Sequence, residues 1–96
     1  MIVTVLEGHV PAGREAALQD AYQSASAELP AGLIHSELLR DARDPARWII
    51  QTWWESREVL DAMRSAGTPA GVLMFRAAGA EPTLDVFELT DAIPRD

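Results

Sequence analysis

Two predicted strands with apolar side chains on both faces limit what this chain can fold into. The runs 2–10 and 47–55 are rich in β-branched and aromatic residues, which favours strands. Their alternating sides carry Ile2, Thr4 and Leu6 against Val3 and Val5, and Trp48, Ile50 and Trp54 against Ile49 and Trp53. A sheet with one face in water alternates apolar and polar residues, so both faces of this sheet are expected to be covered.

The length of the chain decides what can cover the second face. Its 96 residues fit one domain, residues 1–96. Two or three helices cover only one face of a sheet, and the same face of a second copy is the simplest cover for the other. A homodimer is therefore predicted. The alternative is that Trp48 or Trp53 lies exposed at an edge of the sheet as a single aromatic side chain.

Three helices are predicted between the strands. The first covers 12–29, and one of its faces is formed by Leu18, Ala21, Tyr22, Ala25 and Leu29. The second follows Ser56, a typical N-cap, and ends at Gly67. A short third helix is expected over 68–79, with Thr68 as its N-cap and a proline at its first position.

Two further strands are expected over 33–40 and 83–90. The complete order, β-α-β-β-α-(α)-β, is typical of the ferredoxin-like α+β fold, in which a four-stranded antiparallel sheet carries its helices on one face. The expected strand order in this sheet is 4-1-3-2.

Composition excludes several classes of function. Eight arginines without any lysine stand against fifteen acids, for a net charge of −7, which argues against nucleic acid and anionic membrane as partners. Cysteine is absent, which excludes disulfides, thiolate catalysis and cysteine-ligated metal centres. With no signal-like N-terminus and no apolar run of about 20 residues, a soluble cytoplasmic protein is expected.

Four segments together resemble the antibiotic biosynthesis monooxygenase (ABM) family. They are Ile2–Gly13, Leu38–Trp48, Gln51–Glu58 and Pro82–Phe87. The resemblance covers nearly the whole chain and implies a dimeric α+β barrel. Members of this family include cofactor-free oxygenases of aromatic polyketides, haem-degrading oxygenases, isomerases of small metabolites and proteins without known activity.

The haem-degrading members can be compared residue by residue. They use an asparagine on the first strand, a tryptophan late in the second helix and a histidine as iron ligand on the next helical segment. This chain has no asparagine, Met63 stands at the tryptophan position, and the segment 68–79 lacks histidine. Haem degradation is therefore disfavoured. The missing asparagine also weakens a transfer of the polyketide oxygenase mechanism.

His9 and His35 are the candidate catalytic residues, because histidine is the side chain that titrates near neutral pH. Either could act as a general base if it faces a cavity between sheet and helices. The alternative is a histidine hydrogen-bonded at the end of the sheet or open to solvent. A metal site would need carboxylates such as Glu7 or Glu37 as well, and no metal site is predicted.

A candidate substrate pocket for a flat aromatic ligand is formed by Tyr22, Met63, Met74 and Phe75. Arg76 could bind a carboxylate or phenolate of that ligand. Alternatively, these residues are ordinary core and Arg76 is solvated. The chain has no glycine-rich phosphate loop or dinucleotide motif, so no tightly bound flavin or nicotinamide is expected.

Two hypotheses follow. In the first, the protein is a homodimeric, cofactor-independent monooxygenase of a small or polycyclic aromatic substrate, as the resemblance implies. In the second, it is a non-catalytic small-ligand-binding or stress-associated dimer of the same fold.

Overall fold

A computed structural model describes residues 1–94 of the chain. The elements run in the order β1 (Ile2–His9), α1 (Glu15–Ala25), β2 (Leu33–Arg40), β3 (Arg47–Trp54), α2 (Arg57–Ser65), α3 (Ala70–Ala77) and β4 (Thr83–Glu88). The four strands form one antiparallel sheet in the order β2-β3-β1-β4. The ferredoxin-like α+β fold and the strand order predicted from the sequence are confirmed.

The ends of the helices differ from the prediction for local reasons. Helix α1 is shorter at both ends than the predicted 12–29. It begins later than predicted because Gly13 turns the chain at φ 87°. At the other end of α1, the Ser26 hydroxyl donates to the carbonyl of Gln23. Ser56 caps α2 as predicted, since its side chain accepts from the Val59 N–H. The prediction of Thr68 as the cap of α3 is wrong: Pro69, with extended ψ, takes that position without a side-chain bond.

The two faces of the sheet differ more than the strand pattern indicated. The inner face, under the helices, holds Ile2, Leu6, Trp48, Ile50 and Trp54, all buried. The register places rows of four residues across the outer face: Phe87, Val3, Trp53 and His35, and next to it Asp85, Val5, Gln51 and Glu37. The first row is largely apolar and the second is not. The outer face is therefore only partly apolar, because the pattern of β1 and β3 used above left out Gln51 of β3 and the acidic residues of β2 and β4.

The layer between the inner face and the helices has two unlike ends. At the packed end (Val10, Leu18, Trp48 and Phe75), side chains fill the space, and Leu18 and Phe75 have no exposed surface. This packing needs a glycine in β1: a methyl group at Gly8 would lie 2.7 Å from the Phe75 ring. The hollow end (Thr4, Thr52, Trp54, Leu60 and Met63) has a smaller buried cluster and surrounds a cavity.

Within residues 1–94, no helix combines the length and the apolar character needed to cross a bilayer.

Candidate functional site

The candidate site is a cavity of about 180 Å³ at the hollow end. Its floor is the inner face of β1, β2 and β3, and its walls come from all three helices and from the segment that follows α1. Helix α3 passes over the floor at Gly71, where an added methyl group would lie 2.6 Å from the tip of Leu6. A pocket that is mostly apolar and holds a few polar groups is the usual form of a small-molecule site.

A row of hydroxyl groups crosses the floor of this cavity. Ser36, Thr52 and Thr4 are cross-strand partners on three adjacent strands, so their side chains share the inner face. The Tyr22 hydroxyl on α1 donates to Ser36 Oγ at 2.9 Å, and Ser36 Oγ lies 3.2 Å from Thr52 Oγ1. The row thus links a helix to the centre of the sheet through polar contacts in an otherwise apolar layer.

Trp54 fixes the far end of this row. Its indole Nε1–H donates to Thr4 Oγ1 at 3.0 Å, and both residues are buried. Since the indole ring has only this one polar atom, the bond satisfies it completely. Trp54 thereby orients a hydroxyl on the cavity floor.

Three of the five residues predicted to bind substrate line the cavity: Tyr22, Met63 and Met74. Phe75 does not, because it points to the packed end and is fully buried there. Arg76 lies outside as well and forms two hydrogen bonds to the carboxylate of Glu81, at 3.0 and 2.8 Å. This pairing raises the pKa of Arg76 and lowers that of Glu81. The prediction that Phe75 and Arg76 belong to this pocket is therefore wrong.

The two candidate catalytic histidines lie on the outer face, away from the cavity. His9 is 3.6 Å from the carboxylate of Asp44, and its side chain is 64% exposed. His35 is 3.4 Å from Glu37 and contacts the ring of Trp53. Strand alternation explains this placement, since both are one residue away from positions that face the helices. Neither can act as a base on a ligand in this cavity, which corrects that part of the hypothesis.

Among residues 1–94, the charged side chains that line the cavity lie at its mouth. Glu28, after α1, and Arg64, near the end of α2, belong to the lining and are exposed. Together with Tyr22 they are the titratable groups in the lining. In the part of the chain described, no three histidine, cysteine or acidic side chains come close enough to hold a metal ion.

The hydroxyl row could not be recognised from the sequence alone. Threonine in a strand is ordinary, and Ser36, Thr52 and Thr4 are far apart along the chain. The alternation of each strand places the three hydroxyls on the inner side, but only the exact register brings them into one line.

Comparison with known proteins agrees with this fold. The family model described as antibiotic biosynthesis monooxygenase matches residues 1–68. A protein provisionally described as an antibiotic biosynthesis monooxygenase from Deinococcus radiodurans superposes with a TM-score of 0.76 at 15% identity, covering 100% of this chain and 99% of its own. No curated protein matches the chain.

Two other solved structures have named activities. SnoaB, a cofactor-independent oxygenase from Streptomyces nogalater, has a TM-score of 0.74 at 14% identity, with 98% of this chain and 97% of that chain covered. MhuD, a haem degrader from Mycobacterium tuberculosis with two haems bound, has a TM-score of 0.69 at 24% identity, with 97% and 99% covered. Likeness at such identities establishes a shared fold and not a shared reaction.

Proposed function

Because this chain belongs to the antibiotic biosynthesis monooxygenase family, we propose that it is a cofactor-independent monooxygenase of a small aromatic substrate bound in the cavity at the hollow end. The observation that carries this proposal is the cavity itself, an apolar space with a row of hydroxyls on its floor. The likeness to SnoaB, which is named as an oxygenase of this kind, supports the choice of reaction.

The size of the cavity limits the substrate. Its volume of about 180 Å³ is close to that of an engineered cavity of roughly 150 Å³ that binds benzene. A substrate of one or two rings therefore fits inside, whereas a polycyclic substrate would have to extend through the mouth past Glu28 and Arg64. Of the two substrate sizes that the sequence left open, the small aromatic is favoured.

The reaction can be written for 1-naphthol as a model substrate. The phenolate supplies the electrons to O₂; one oxygen atom becomes the carbonyl oxygen at C4, and the other leaves as water with the C4 hydrogen and the hydroxyl hydrogen. The product is 1,4-naphthoquinone. Glu28, the carboxylate of the lining, can take the phenolic proton while the substrate enters through the mouth, and the apolar walls then keep water from the ring.

Oxygen uptake with 1-naphthol tests the proposal. We expect uptake by the wild type and its loss in Ala25→Phe, because Ala25 lines the cavity and a phenyl ring there fills it. Ala62→Phe, on the exposed side of α2, is the matched control. The double variant His9→Ala, His35→Ala should keep its activity, since both side chains lie on the outer face. No uptake by the wild type, or equal uptake by Ala25→Phe, would contradict the proposal.

A second candidate function is ligand binding without turnover. It is favoured by the position of the titratable groups, because Glu28 and Arg64 are exposed at the mouth and Tyr22 already donates to Ser36. In that case 1-naphthol would raise the melting temperature of the wild type but not of Ala25→Phe, and no quinone would form during the incubation.

We also propose a homodimer that pairs the outer faces of two sheets. The row Phe87, Val3 and Trp53 supports it, since Phe87 is 52% exposed beside two apolar neighbours. Sedimentation at micromolar concentration should give twice the chain mass of 10.5 kDa, and Phe87→Asp should give a folded monomer. A wild type that is a folded monomer at this concentration contradicts the dimer. A cytoplasmic location and the absence of nucleic-acid partners stay predictions.

A further inference from the structure

We infer that Thr4 and Thr52 form a paired-donor site that binds a ligand's carbonyl or phenolate oxygen on the cavity floor. This inference rests on the proposed function and adds what the substrate must carry: an oxygen acceptor on the ring, aimed at the sheet. Each hydroxyl proton of the row needs an acceptor.

The proton of Thr52 is left over at one end of the row. Tyr22 donates to Ser36, so the Ser36 hydroxyl is an acceptor there and has its own proton to place. Its remaining partner is Thr52, at 3.2 Å. Successive donation in one direction is favoured because each bond polarises the next. Ser36 then donates to Thr52, and the Thr52 O–H is free to donate into the cavity.

The proton of Thr4 is also left over. The Trp54 indole can only donate, so Thr4 Oγ1 is the acceptor in their bond. Within residues 1–94, Thr4 has no other side-chain hydrogen bond, and its hydroxyl is not bonded to that of Thr52. Both threonines line the cavity and are 6% and 7% exposed. A buried O–H without an acceptor is unfavourable, so both hydroxyls favour a ligand that accepts.

The spacing of the two hydroxyls suits one oxygen atom. Thr4 and Thr52 are direct cross-strand partners, and the Cβ atoms of such pairs lie roughly 4.5–5.5 Å apart. An oxygen between them can accept from both, as carbonyl oxygens with two lone pairs do. Two donors at one oxygen also stabilise negative charge there, which would favour the phenolate over the phenol. A substrate without a ring oxygen would leave both donors unpaired.

Two matched probes test the site: 1-tetralone and tetralin are bicyclic compounds that differ in one carbonyl oxygen. The wild type should bind both in the cavity, and the C=O stretch of bound 1-tetralone should lie at lower frequency than in hexane, as two hydrogen bonds require. This measurement needs no variant. If 1-tetralone binds with its stretch at the hexane frequency, the paired-donor site is wrong while the cavity proposal stands. If neither probe binds, both proposals fail.

Variants distinguish the contribution of the two hydroxyls to binding from that of the cavity. Thr4→Val and Thr52→Val should each weaken the binding of 1-tetralone by about tenfold, the usual effect of one hydrogen bond. The affinity for tetralin should stay unchanged. Thr4→Ser and Thr52→Ser keep a hydroxyl and should restore binding, which also controls for any loss of folding in the valine variants. Thr83→Val, exposed on β4, is the matched control. Equal weakening of both probes, or none, would overturn the inference.

Discussion

The packed end and the hollow end lie on the same sheet face, yet the first is solid under α1 and α3, and the second, where α2 also contributes, encloses a cavity. At the packed end a glycine in β1 lets Phe75 of α3 approach the sheet, and the ring fills the space. At the hollow end α1 has already ended at Ala25, and the small polar side chains of Thr4 and Thr52 lie on the sheet beside Trp54. One face of the sheet thus supports the fold at one end and a site at the other.

The two inner tryptophans of β3 show the same contrast. Trp54 bonds its indole N–H to Thr4, whereas the N–H of Trp48 is buried and has no hydrogen-bond partner among residues 1–94. Arg40 lies over the Trp48 ring, with its guanidinium carbon 5.5 Å from the ring centroid. An unpaired buried donor at the packed end indicates that close packing was kept there at the expense of a hydrogen bond. At the hollow end the polar contacts are kept and the packing is not.

The largest difference is expected from truncating one side chain at each end. Phe75→Ala should lower the free energy of unfolding by about 3–5 kcal/mol, because a fully buried ring leaves a cavity that its neighbours cannot fill. Met63→Ala should lower it by no more than about 1 kcal/mol, since that side chain is half-buried and already borders a space. Urea denaturation measures both. Equal losses would remove the distinction between the two ends.

Adding a methyl group at a glycine should also change the stability of the protein differently at the two ends. In Gly8→Ala the new Cβ meets the Phe75 ring, which has no room to move, so we expect a loss of about 1–3 kcal/mol. In Gly71→Ala it meets the flexible tip of Leu6, which can move into the cavity, and alanine favours a helix by about 1 kcal/mol. Urea midpoints should therefore fall for Gly8→Ala only. A larger loss for Gly71→Ala would show that the cavity is not available to Leu6.

The bond between Trp54 and Thr4 gives a third comparison. Thr4→Val keeps the shape of the side chain but leaves the buried indole N–H without an acceptor, which should reduce stability by about 1–3 kcal/mol. Thr4→Ser should be close to neutral. Proton NMR adds a check without substitution, because the bonded Trp54 N–H should resonate downfield of the unpaired Trp48 N–H. The reverse order of the two signals would contradict these contacts.

The smallest expected effect is the pH dependence of stability. It arises from Glu7 and Asp41, which pair with Arg47 at the outer edge of the packed end. The hydrogen bond from Arg47 lowers the pKa of Glu7, and the N–H of Arg43, followed by Arg47, lowers that of Asp41. A carboxylate whose folded pKa is lowered stabilises the protein above its unfolded pKa, and this contribution is lost as the pH falls through the folded value.

The melting temperature should therefore fall slightly as the pH drops below about 4.5, the ordinary pKa range of these groups. In Arg47→Gln this fall should be flatter, and Arg57→Gln, whose exposed pair with Asp61 lies on α2, is the control. An unchanged pH profile in Arg47→Gln would show that solvent screens the cluster completely.

The sequence predicted the fold well because each strand and helix carries local signals: the alternation of Trp48, Ile50 and Trp54, the cap at Ser56 and the breaking glycines. For the same reason, the spacing along each helix predicted that Tyr22, Met63 and Met74 face the pocket. The face of the sheet on which a strand residue lies was harder to predict, because a shift of one residue moves a side chain to the other face. His9 and His35 face outward for this reason. The outcome for Phe75 depended on a glycine on another strand, which no local pattern reveals.

The most direct test of the account is a crystal structure of the protein with 1-tetralone bound. We predict the bicyclic ring in the cavity at the hollow end, its carbonyl oxygen within hydrogen-bond distance of Thr4 Oγ1 and Thr52 Oγ1, and Phe75 in place at the packed end. A cavity closed by the inward movement of α3, or a ligand bound elsewhere, would contradict it.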